Sequence, residues 1–156
     1  KKSKRQRESQ SEQDIFYHIE YSGLDLAGNR YILKADEATT DKFNQDIINM
    51  KSTTAIFYFK DGTVLNVSSE TGVYNNKSLD MLFSGEVKAS YIESKLFADK
   101  AEYSNSEGFL TITKNVIIED SRGTMIADKL LFDIEKQTLK IAAFKDNKIN
   151  ANIKLK

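Results

Sequence analysis

One short phrase occurs more than once in this chain, and a repeat constrains the fold more than any single residue can. Ser94-Lys95-Leu96-Phe97-Ala98-Asp99-Lys100 is echoed by Thr124-Met125-Ile126-Ala127-Asp128-Lys129, so that Ala98-Asp99 and Ala127-Asp128 stand 29 residues apart. The same step carries Tyr103 onto Phe132, Leu110 onto Leu139 and Ile112 onto Ile141. Taken backwards, it reaches Ser69-Glu70, Tyr74, Met81 and Phe83. Ala35-Asp36, within Tyr31-Ile32-Leu33-Lys34-Ala35-Asp36, is a weaker first copy 34 residues before Ser69-Glu70.

A step of this length holds two strands and two turns. Leu65 and Val67 alternate with Asn66 and Ser68, and Leu33 and Ala35 with Lys34 and Asp36; this is the period of a half-buried strand. Asp61-Gly62, Asn75 to Ser78, Ser104 to Gly108 and Asp120 to Gly123 supply turn chemistry between such runs. Gly85 interrupts the long strand expected over Leu79 to Tyr91 and predicts a bulge there. No segment shows a helical period. The expected fold is all-β, an open and elongated β-jelly roll of two packed antiparallel sheets, built from repeated strand pairs and containing about ten strands. Because the step is an odd number, the inward positions switch parity from one copy to the next.

At 156 residues the length suits one domain. Residues 1–14, KKSKRQRESQSEQD, hold nothing apolar and are expected to form a mobile basic and polar segment, leaving 15–156 as a single β-domain. Only 40% of the residues are apolar and 29% are charged, which suits a thin sheet better than a thick globule. Lys plus Arg equals Asp plus Glu at 23 each, so the charge balance points to no nucleic-acid partner. No run is long enough to cross a bilayer, and the first residue is not Met. The chain is therefore read as a segment whose natural amino terminus, with any anchor or signal, is expected to lie outside it.

The composition also removes most enzymatic chemistry. With no Cys there are no thiolate metal sites and no Cys nucleophiles, and the one His, His18, has no second ligand or nucleophile to act with. Asp99 and Asp128 could be read as a carboxylate pair. Their recurrence at equivalent repeat positions favours a structural task, because a catalytic pair needs two different environments. No enzyme activity, metal or cofactor is expected.

What remains is apolar surface. Alternation assigns to the inside Leu33, Ala35, Phe57, Phe59, Leu65, Val67, Met81, Phe83, Leu96, Ala98, Leu110, Ile112, Met125, Ala127, Leu139 and Ile141. Such a set either fills an ordinary closed core, as in a β-repeat structural or adhesive module with no lipid, or lines a groove that shields acyl chains from water. The last run, Ile149-Asn150-Ala151-Asn152-Ile153-Lys154-Leu155-Lys156, alternates without a fault. It presents Ile149, Ala151, Ile153 and Leu155 on one face of an unblunted edge, suited to strand addition by another chain.

Gly28 to Ala38, Asp61-Gly62-Thr63, Ser69-Glu70-Thr71-Gly72-Val73-Tyr74, Leu79 to Val87 with Ser84-Gly85-Glu86-Val87, and Ala127-Asp128, taken in order, resemble the periplasmic domain of the LptC family of lipopolysaccharide-export proteins, in the form found in alphaproteobacteria. The likeness runs from about Tyr21 to Phe144, and its motifs are jointly ordered though individually loose. The resemblance implies an open jelly roll that catalyses nothing and holds lipid A acyl chains in its apolar groove. It implies a periplasmic protein anchored in the inner membrane by an amino-terminal helix. The carboxy-terminal strand would then meet an LptA-like jelly roll, and the amino-terminal strand, with Phe16, Tyr17 and Ile19, would meet the inner-membrane ABC extractor. A soluble relative such as LptA fits the same motifs.

Overall fold

The computed structural model describes residues 14–144 and 151–154, with side chains placed for 14–141. The segment 1–14 lies outside the described residues but for Asp14. Ten strands follow one another: β1 (Phe16–Leu24), β2 (Arg30–Thr40), β3 (Ile47–Tyr58), β4 (Val64–Asn75), β5 (Met81–Tyr91), β6 (Ser94–Ser104), β7 (Phe109–Asp120), β8 (Gly123–Asp133), β9 (Thr138–Phe144) and β10 (Ala151–Lys154). Each pairs antiparallel with the next, giving one open sheet whose spatial order is the sequence order. The expected turns close the hairpins. Gly62 takes φ +92° and donates to the Phe59 carbonyl at 3.0 Å. Asn75 Oδ1 accepts from the backbone of Lys77 and Ser78, a side-chain mimic of a turn.

The repeated phrase marks a line of kinks across the middle of this sheet. In β1 and β3 the left-handed residues are His18 and Ser52, in β5 Gly85 and Glu86, and in β7 Lys114 and Asn115. Registers skip at these points, between Ser84 and Val87 and again between Thr113 and Val116. Opposite each kink, on the even-numbered strands, stand Asp36, Glu70, Asp99 and Asp128. The Asx and Ser residues among the kinks tolerate the left-handed region better than most, and the bulges add local bend. Inward parity changes here. β6 buries Leu96 and Ala98 before its skip and Ala101 and Tyr103 after it. Gly72 serves the same crease, since a Cβ on it would come 2.7 Å from Thr53 Oγ1.

At this crease the sheet folds over on itself. One half carries the β1–β2, β3–β4, β5–β6 and β7–β8 turns; the other carries the β2–β3, β4–β5, β6–β7 and β8–β9 turns. Rings cross from half to half: Tyr31 and Phe57 meet Tyr103, and Phe59 and Tyr91 meet Phe132. The two expected sheets are therefore two halves of one hydrogen-bonded sheet. The physical reason is the mid-strand kink, which lets an eleven- or twelve-residue strand serve both layers. The inner face buries one continuous apolar cluster from Tyr31 to Ile141.

Candidate functional site: the apolar interior

Every residue assigned inward from the sequence lies on the inner face. Leu33, Phe57, Val67, Phe83 and Ile141 are 0% exposed; Ala35, Phe59, Leu65, Met81, Leu96, Ala98, Leu110, Ile112, Ala127 and Leu139 are buried beside them. Met125 is the exception, being only partly buried against the cluster. The parity switch predicted from the odd repeat is present, with Met81 and Phe83, Leu110 and Ile112, and Leu139 and Ile141 all facing in.

The inward set leaves out several of the largest side chains of the lining, although Tyr31 alternates in phase with Leu33 and Ala35. Tyr31, Tyr74, Tyr91 and Tyr103 are buried, and Phe132 with them. Three of these are the repeat partners Tyr74, Tyr103 and Phe132, so the 29-residue step already carried the signal. Their hydroxyls find partners at the rim. Tyr31 and Tyr74 oxygens stand 3.1 Å apart, Tyr103 donates to Asn105 Oδ1 at 2.7 Å, and Tyr91 to Gln137 Oε1 at 2.5 Å. Burial pushes the Tyr31 hydroxyl up and the Tyr74 and Tyr103 hydroxyls well above the ordinary tyrosine range, and the carboxylates of Asp25 and Asp80 near Tyr103 add to its shift. They stay protonated; Tyr103 donates, and within the Tyr31–Tyr74 pair one hydroxyl donates and the other accepts.

The interior side chains are packed against one another. Among the described residues the strands make their backbone contacts chiefly with sequence neighbours, so across the layers the halves are held mainly by side chains. Aromatic rings fill the space that small Ala positions would otherwise leave. An acyl chain entering it gains about 0.8 kcal/mol per methylene removed from water, but must first part side chains that already shield one another. Clefts do exist on the outside, such as one of about 420 Å³ edged by Ser68, Lys88, Lys95 and Phe97. Interior residues take part in the walls of such clefts, Met81 and Tyr103 in one, Ala89 in another and Met50 in a third.

A family model described as lipopolysaccharide-assembly, LptC-related, matches residues 1–143. The chain belongs to this LptC-related family. No curated protein matches the chain. Membership in the LptC-related family implies a role in lipopolysaccharide transport, and the open all-β sheet agrees with the fold that the resemblance implied. Among the described residues no helix is long and apolar enough to cross a membrane.

The LptC-related sheet leaves two edges without a strand neighbour among the described residues, β1 and β10. On β1, Phe16 is 50% and Tyr17 60% exposed, while Ile19 is partly buried against the core. On β10, Ala151 pairs with Ile141 and Ile153 with Leu139; Ile149 and Leu155 lie outside the described residues. His18 is exposed at the crease, where its φ of +53° is a backbone feature. Asp99 has a structural partner at the crease. Its Oδ2 accepts from Asn115 Nδ2 at 2.7 Å, across the crease.

Proposed function

We propose that this LptC-related chain is a non-catalytic bridge segment of the periplasm that carries lipopolysaccharide by its acyl chains between the two halves of its folded sheet. The observation that supports this most is an apolar interior running the length of the sheet, with layers joined by backbone only at the crease. In this reading the interior set from Leu33 to Ile141 contacts the acyl chains, and the sheet parts to receive them. The lipid comes from an inner-membrane ABC extractor docked on β1 and passes to an LptA-like jelly roll docked on β10. An amino-terminal helix outside the chain holds it to the inner membrane.

The complete burial of the lining favours a second reading, a β-repeat structural module whose core never opens. Leu110→Asp separates the two, because a carboxylate in the interior must be desolvated or hold water there. In a variant that keeps its far-ultraviolet β-signature, loss of lipopolysaccharide binding supports the carrier. If the wild-type protein binds no lipopolysaccharide, the structural module is the better account.

A further inference from the structure

The folded sheet has a hinge and a mouth, and polar side chains bridge the mouth at the Tyr31–Tyr74 pair and again around Gln137. The strands pair continuously in sequence order from β1 to β10 on both sides of the crease, with register skips at the crease itself, so that side cannot part without tearing the sheet. On the opposite side the turns of one half lie against the turns of the other. There Gln137, in the β8–β9 turn, reaches across the layers. Its Oε1 accepts from the Tyr91 hydroxyl, at the end of β5, at 2.5 Å and lies 3.1 Å from Thr63 Oγ1, in the β3–β4 turn. Gln137 is held for this by its own turn, with φ +52° and its amide donating to the Asp133 carbonyl at 2.7 Å. Thr63 is held in turn by Asp61, whose Oδ1 accepts from the Thr63 amide at 3.0 Å and, at 2.6 Å, shares the single Thr63 hydroxyl proton with Gln137 Oε1.

Immediately inside this fastening sit Phe59, Tyr91 and Phe132, in mutual ring contact at 5.2–6.4 Å. These rings supply apolar contact beside the polar bridge. Apolar contacts can be exchanged for contacts with an acyl chain at small net cost, whereas the bridge has no such substitute. We infer that Gln137, with Thr63 and Tyr91, is a latch on the mouth of the folded sheet, and that acyl chains are admitted between the β3–β4 and β8–β9 turns when it releases. This rests on the carrier reading for what is admitted, but not for the latch itself.

The absence of native Cys lets opening be measured without lipid. A single interior thiol, Val67→Cys, reports opening through its rate of reaction with a maleimide. In that background Gln137→Ala should raise the rate roughly fivefold, the effect of losing one hydrogen bond. Tyr91→Phe keeps the ring packing and should do the same to a similar degree. Labelling in low urea should be nearly independent of denaturant, as a local opening is and global unfolding is not. Unchanged rates in both variants, or a rate that tracks global unfolding, would overturn the latch.

The second arm uses a fluorescent long-chain fatty acid with Thr63→Cys/Gln137→Cys joined by a short bis-maleimide. Uptake should fall by about tenfold or more against the unjoined pair, as expected when access needs a conformational change that is blocked. Equal uptake overturns this route of admission. A wild-type protein that takes up no fatty acid, while Gln137→Ala still speeds labelling, sinks the carrier reading and leaves the latch standing.

Discussion

The hydroxyl oxygens of Tyr31 and Tyr74, 43 residues apart in sequence, stand 3.1 Å from each other across the two halves of the sheet. Burial raises both above the ordinary value of 10.0, and raises Tyr21 and Tyr103 as well. The sign follows from linkage. In the unfolded chain these hydroxyls ionise near pH 10.0, while in the folded chain they hold their protons to higher pH. The stability they contribute is complete below pH 10.0 and is lost as the pH climbs from there toward the folded values.

Urea midpoints should therefore be flat from neutral pH to about pH 9 and fall steeply above about pH 10. Tyrosinate absorbance should rise for the buried rings only as the protein unfolds. A midpoint independent of pH up to about pH 11 contradicts this account of the tyrosines.

The crease makes a second prediction through Asn115, which combines a left-handed φ of +56° with a hydrogen bond to Asp99. Asn115→Ala forces a Cβ into that conformation without the polar side chain that tolerates it, and should cost about 1–2 kcal/mol. Asn115→Gly loses the same exposed hydrogen bond but none of the backbone freedom, and should cost distinctly less. Equal urea midpoints for the two variants would mean that strain at the crease is not what Asn relieves.

How much of this could be read in advance turns on that same crease. Ala98-Asp99 and Ala127-Asp128 were visible as a repeat, and the strand pairs and their turns follow from it. The carboxylates were readable as structural, yet their task was not. Only the register shows each acidic position facing a left-handed residue on the neighbouring strand. The inward assignment of Leu96 and Ala98 held because alternation is local. Tyr103 was missed because the kink between Phe97 and Lys100 reverses parity within a single strand, and alternation carries no memory across a bulge. The packing of the interior was illegible for a different reason. Alternation shows which face is apolar, whereas the fit of Phe59, Tyr91 and Phe132 against one another depends on a fold that brings β3, β5 and β8 together.

The free edge at β10 makes a third prediction. Ile153 lies in register with Leu139, and Pro at this position removes a backbone donor from a four-residue strand. Ile153→Pro should abolish capture by an LptA-like jelly roll in a pull-down while lipopolysaccharide binding stays at the wild-type level. Capture that persists would remove β10 from the docking assignment.

The central claim, that acyl chains lie between the two halves of the sheet, is tested most directly by photocrosslinking to lipopolysaccharide from defined positions. Phe83 is 0% and Leu110 1% exposed on the inner face, whereas Lys95 faces outward. A photoreactive residue at Phe83 or Leu110 should capture lipopolysaccharide, and one at Lys95 should not. Capture from Lys95 with none from Phe83 or Leu110 would place the lipid on the outer face and contradict the account.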